Sequence, residues 1–304
     1  MNSINRREFM ALSATVPILA AAAGGSNLAR GAQDGAWFVS MHEISSAGFD
    51  FRTAMEGWAR AGIKYVEPDL VKAREFEAEA GKGSAKRLLN DLGLTVVSSS
   101  NQLFLDESGP RRAAAIEDLK WKVEMAESLG ADRLVMPSAA SEPHTQQDYD
   151  QVYENLREAA DIARPHKVTM MLEFTRNSKL VSTLRTSLQV VRSIDHPNLR
   201  AMLDIYHFWA GMSKFEDLEE IRQGEIHHVH FADTPAQPSY EVFAQKDRAW
   251  PGEGIAPLAR IVAALKAKGY SGPASLELFD PVVQNTDPYE VGAKALRTIT
   301  PYIV

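Results

Sequence analysis

Leu203-Asp204-Ile205-Tyr206-His207 is the stretch around which the rest of the chain falls into order. It extends an apolar run from Leu199 and then breaks into polar side chains, as a buried strand does where it opens into a loop. Asp204 is a hard oxygen donor, and His207, three residues on, reaches over the same mouth. Three further strand-like runs end alike: Met171-Leu172-Glu173-Phe174, His228-Val229-His230-Phe231 and Leu276-Glu277-Leu278-Phe279. Two glutamates, one aspartate and one histidine thus sit on four successive strands, a divalent-metal site in outline.

Working outward, one rhythm repeats: a short apolar run, a polar tip, then an amphipathic stretch. Strands are expected at 37–41, 63–67, 94–98, 133–137, 168–174, 199–205, 226–231 and 274–279. Helices are expected at 51–61, 84–92, 111–129, 146–164, 183–194, 214–223, 257–268 and 289–300, several stopped by glycines such as Gly62 and Gly130. Eight strand–helix pairs in alternation require parallel strands joined by crossover helices. Without a Gly-x-Gly-x-x-Gly after the first strand, a closed (β/α)₈ TIM barrel is favoured over an open dinucleotide-binding sheet. Residues 34–304 read as one such domain. Active residues in this architecture lie at the C-terminal strand ends and in the loops beyond. The connections Ser138–Thr145 and Asp233–Gly254 exceed what packing needs, and the second is dense in chemistry.

Composition narrows the partners. Among 304 residues, 45% are hydrophobic and 24% charged, with a formal net charge of −7, which disfavours nucleic acid or an anionic membrane. The chain has 0 Cys, which removes disulfides, zinc–thiolate centres and thiol catalysis. At the N-terminus, Asn5-Arg6-Arg7-Glu8-Phe9-Met10 precedes an Ala-rich apolar run, and Ala29-Arg30-Gly31 offers a cleavage point. Residues 1–33 look like a twin-arginine signal peptide, the other reading being a basic amphipathic helix. Such a signal implies export, to the periplasm, with no stable membrane span left after cleavage. A homo-oligomer is left open.

Each candidate has a bland alternative. Glu173 ends an apolar strand, where a carboxylate needs a cation or a salt bridge, with Arg176 and Lys179 in reach along the chain. Asp204 would serve equally as a helix N-cap. Glu277 has no basic neighbour in sequence. Three carboxylates converging on one mouth repel unless a cation holds them. His230 shares a strand face with His228, which lies one layer deeper as a hydrogen-bonded core residue; His227 faces the helices. A mostly oxygen site with one imidazole suits Mn²⁺, Mg²⁺ or Co²⁺ ahead of Zn²⁺. His207, Asp233, Arg248 and Trp250 are read as substrate-binding: a donor, a partner orienting a ligand or hydroxyl, a hydroxyl or carboxylate clamp, and an apolar wall. A solvent-facing histidine, an exposed loop arginine and a tryptophan pinning its loop are the alternatives. His42, Glu67 and His144 also fall at strand ends.

Leu-Glu173-Phe, Leu-Asp204-x-x-His207, His-Val-His230-x-x-Asp233 and Leu-Glu277-Leu-Phe resemble the signatures of the xylose-isomerase-like sugar-phosphate isomerase/epimerase superfamily. The resemblance covers essentially the whole chain after the signal. Asp247-Arg248-x-Trp250-Pro251-Gly252-x-Gly254 is most similar to its inosose isomerase branch. This implies a small-molecule keto-sugar or keto-cyclitol substrate and proton abstraction beside the carbonyl through a metal-stabilised enediolate. Glu173 and Glu277 would be the catalytic bases on opposite faces, and Glu173, Asp204, His230 and Glu277 the metal ligands. A lyase using the same chemistry, a dehydratase or a 3-keto-glycoside eliminase, is the rival reading. A non-catalytic exported sugar-binding barrel would not need two facing bases. Ketohexose epimerases of the superfamily carry an acidic group near Lys179 and an arginine near Thr234-Pro235-Ala236-Gln237, and this sequence has neither.

Overall fold

The computed structural model describes residues 36–100, 108–140 and 145–304. The proposed signal, residues 1–33, and His144 lie outside the described residues. The ring begins with β1 (Phe38–His42), β2 (Tyr65–Glu67), β3 (Thr95–Val96) and β4 (Arg133–Pro137). It continues with β5 (Thr169–Glu173), β6 (Leu199–Asp204), β7 (Ile226–His230) and β8 (Pro273–Leu276). All pairings are parallel, and β1 pairs with both β2 and β8. The gap between β3 and β4 is closed by backbone bonds: Val135 N–H donates to Ser99 O at 2.7 Å and Ser99 N–H to Arg133 O at 3.3 Å. The expected (β/α)₈ barrel is the fold.

Strand alternation explains the layers. Met171 and Glu173 share one face of β5, Met202 and Asp204 one face of β6, and His228 and His230 one face of β7. Val135, Met171 and Met202 pack with one another as a small inner cluster. The alternate residues, such as Met170, Leu172 and Leu203, belong to the main core beneath the helices. Beneath the strand ends the barrel interior therefore combines the small apolar cluster with the buried polar side chains of Glu67, His228 and Ser275.

Helix α1 (Phe51–Ala61) is capped by Asp50, whose side chain accepts the Thr53 N–H, and ends at Gly62 with φ +95°, a conformation that favours glycine. Helix α2 (Leu70–Ala80) was not expected; its Glu-rich sequence carries little apolar periodicity. Helices α3 (Ser84–Asp91), α4 (Gly109–Leu129), α5 (Gln146–Ala163) and α6 (Leu184–Ile194) follow the predicted spans closely. Between β6 and β7 lie two short helices, α7 (Ile205–Trp209) and α8 (Phe215–Glu219), in place of one ten-residue helix. The chain closes with α9 (Leu258–Ala267), α10 (Pro281–Gln284) and α11 (Pro288–Ile303). Among the described residues no helix is long and apolar enough to cross a membrane.

Candidate metal centre

Glu173, Asp204 and His230 are the last residues of β5, β6 and β7, and Glu277 directly follows β8. One donor atom from each lies within 4.8 Å of all the others, and all four residues are buried. Asp204 pairs with His230 in strand register, so neighbouring strands bring them side by side. His230 Nδ1 is the hub, 3.1 Å from Glu173 Oε1, 3.2 Å from Glu277 Oε2 and 3.8 Å from Asp204 Oδ2.

Both readings of Asp204 hold at once. Its Oδ1 caps α7 by accepting the His207 N–H at 2.7 Å, which leaves Oδ2 for the cluster. Glu173 forms no ion pair with Arg176, whose guanidinium instead donates to the carbonyls of Ala210, Phe243 and Tyr240 and ties three loops together.

Arg248 reaches the cluster itself. Nη1 lies 2.5 Å from Asp204 Oδ2 and 2.9 Å from Glu277 Oε2, while Nη2 donates to Gln245 Oε1 at 2.9 Å and faces His207 Nε2 at 3.2 Å. It is buried rather than an exposed loop arginine, and it offsets part of the three-carboxylate charge. His207 is also buried; its Nδ1 accepts the Arg176 N–H at 3.3 Å. Burial pushes the His207 imidazole down to about 4.

The two glutamates are driven apart electrostatically. Burial raises Glu173 to about 7, opposed by His230 and reinforced by the like charges of Glu277 and Asp204. For Glu277 burial acts in the same direction, but Arg248 and His230 prevail and hold it well below the carboxylate range. Even so, Glu277 Oε2 is buried with no aligned hydrogen-bond donor. Three oxygens and one imidazole nitrogen converging on a point, one oxygen lacking a donor, is a donor set that fits a divalent cation.

The mouth above is a cavity of about 640 Å³. Glu173, His207, Arg248 and Glu277 line its polar side with Asn177 and Gln245, and Ile44, Pro68, Leu70 and Val71 its apolar side. Two residues read as substrate-binding stand elsewhere. Trp250 is absent from the cavity lining; it packs half-buried on the core with Lys294 Nζ 4.4 Å over its ring, and so pins the loop to the barrel. Asp233 spends both carboxylate oxygens on its own loop, accepting N–H groups of Thr234, Gly252, Gly254 and Ala256 at 2.7–3.1 Å. Gly254 is required there, since a Cβ would collide with Thr234 O and Asp233 Oδ1.

Two further strand-end residues, His42 and Glu67, prove central to the geometry. His42 Nε2 bonds Ser100 Oγ at 2.9 Å and sits 3.9 Å from Glu277 Oε1. Glu67 lies beneath His230, with Oε1 at 3.2 Å from its Nε2 and Oε2 at 2.9 Å from His228 Nε2. The only signal for Glu67 was a carboxylate ending an apolar strand just before Pro68. As expected, His228 is a hydrogen-bonded core residue, one layer down.

Residues 56–299 match the xylose isomerase-like TIM barrel family. The chain belongs to this family. Among curated relatives, the inosose isomerase of Halalkalibacterium halodurans is 32% identical over 179 residues, 58% of this chain and 62% of that protein. The 3-dehydroshikimate dehydratase of Pseudomonas putida is 26% identical over 264 residues, 85% of this chain and 38% of that protein. The matches thus span less than two thirds of each relative's length. Among solved structures, the IolI protein with a bound zinc atom superposes with a TM-score of 0.81 at 23% identity, covering 87% of this chain and 97% of that one. At that identity the likeness speaks for the fold.

Proposed function

We propose that this protein is a divalent-metal-dependent isomerase or epimerase of a keto-sugar or keto-cyclitol. The observation that carries the reading is the convergence of Glu173, Asp204, His230 and Glu277 on one point at the floor of the cavity. A cation held by those four side chains would supply Lewis-acid polarisation of the substrate carbonyl. Glu173 and Glu277 each line the cavity, so one can take the proton from the carbon beside the carbonyl and the other can return it. Returning it to the same carbon is epimerisation; returning it to the neighbouring carbon, with the hydroxyl proton passing from one oxygen to the other, is isomerisation. Burial raises the Glu173 carboxyl while Arg248 and His230 lower that of Glu277, so their surroundings push the two groups apart, as a division of labour between two carboxyls needs. His207, Arg248 and Gln245 orient substrate oxygens on the polar side, opposite the apolar wall.

A lyase is the second reading, favoured by the dehydratase relative that aligns with 85% of this chain. Proton abstraction is common to both, and only the fate of the resulting anion differs. We further propose that residues 1–33 direct twin-arginine export to the periplasm, on the strength of Arg6-Arg7 and the Ala-rich run that follows. The deciding experiment incubates Mn²⁺-loaded protein with keto-sugars, keto-cyclitols and keto-glycosides in D₂O. Deuterium entering beside the carbonyl with the carbon skeleton intact supports isomerase or epimerase. Release of water or an aglycone supports the lyase, and no exchange on any of them overturns both.

A further inference from the structure

Directly below the four donors, Glu67 closes β2 with no solvent exposure, and it reaches across the barrel to residues 161 and 163 positions away. Its surroundings are unusual for a buried carboxylate: among the described residues its ionic partners are the imidazoles of His42, His228 and His230. Oε2 also accepts the Ser275 hydroxyl at 2.9 Å. Burying a carboxylate costs several kcal/mol unless its lone pairs are filled, and an apolar residue would fill the same space without that cost. The geometry gives a reason for keeping it. A neutral imidazole carries one N–H and one lone pair, and the partner of one nitrogen decides the state of the other. Glu67 Oε1 lies 3.2 Å from Nε2 of His230 and can accept a proton there, and a cation at Nδ1 would leave Nε2 as the ring's one site for that proton. Nδ1 then turns its lone pair toward Glu173 Oε1 at 3.1 Å and Glu277 Oε2 at 3.2 Å.

We infer that Glu67 is a positioning residue for the metal centre: it accepts the Nε2 proton of His230 and so fixes the tautomer and ring orientation in which Nδ1 is the metal donor. This rests on the metal-dependent reading above. Glu67 is absent from the cavity lining and from the four-donor set, and its shortest contact with that set is the one to His230. Glu67 together with His228 and His230 is not assigned a second ion, because the Nε2 nitrogens of both histidines already face its carboxylate.

The test uses the full chain and Zn²⁺, which is diamagnetic, in three measurements. Long-range ¹H–¹⁵N spectra of the zinc-loaded wild type should show His230 protonated at Nε2 and zinc-bound at Nδ1; ligation through Nε2 overturns the proposal without any variant. Chelator competition should give about one zinc per chain, and Glu67→Gln should weaken its affinity roughly 10- to 100-fold. Glu67→Asp, which keeps the charge but retracts it, should fall between the two. Equal affinity in wild type and both variants removes the role of Glu67 and leaves the metal reading standing. A wild type that binds no zinc removes the metal reading itself.

Discussion

The two halves of the barrel handle carboxylates differently. On the β5–β8 side, Glu173, Asp204 and Glu277 crowd around His230, with Arg248 Nη1 2.5 Å from Asp204 and 2.9 Å from Glu277. On the β1–β4 side, Glu43 is also fully buried, yet Lys72 Nζ stands 3.8 Å from Oε1, which has no hydrogen-bond partner; Oε2 accepts the Asp69 N–H at 2.7 Å. Arg248 and His230 outweigh burial at Glu277, whereas at Glu43 burial prevails and raises the carboxyl to about 8 despite Asp69 and Lys72. One half is built to hold charge at a point open to a cavity. The other supplies a wall and, through Glu67, support from below.

The largest expected effect lies on the charged half. Glu173→Gln and Glu277→Gln should each lower solvent-deuterium exchange into a keto substrate by on the order of 10²- to 10⁴-fold. Bound metal, measured in the same samples, should fall far less. If either variant exchanges at the wild-type rate, that glutamate is not a base and the halves differ in binding only.

On the wall half the expected effect is on stability and its pH dependence. The Glu43 carboxyl is raised from 4.5 to about 8 in the folded protein, so its contribution is complete below pH 4.5 and is lost as pH rises through about 8. Glu43→Gln removes that loss. In urea melts the variant should gain on the wild type from pH 5 to pH 9, by on the order of 4 kcal/mol. Parallel stability profiles for the two proteins would contradict the contrast between the halves.

The charged half was legible in sequence because its donors end regular, apolar strands, and β4 to β8 were predicted within two residues at most ends. The wall half was less so. β2 and β3 are only 3 and 2 residues long, and α2 carries no apolar stripe. Glu67 shows its meaning only across the barrel, where sequence spacing is silent. The Asp233–Gly254 loop misled in a different way. Its composition promised substrate contacts, but loop closure claims Asp233 and the core claims Trp250, leaving Gln245 and Arg248 at the cavity.

The smallest effect follows from that correction. Trp250→Leu should leave kcat/KM within about twofold while costing about 1 kcal/mol of stability through the lost Lys294 cation–π contact. A large rise in KM with unchanged stability would return Trp250 to the cavity.

The central claim is a single ion shared by the ends of β5, β6 and β7 and the residue after β8. Elemental analysis of the purified full-length protein, beside Asp204→Asn and His230→Ala, tests it most directly. About one divalent metal per chain in the wild type, and little in either variant, is the predicted result. A wild type without metal, or variants that retain it undiminished, would contradict the account.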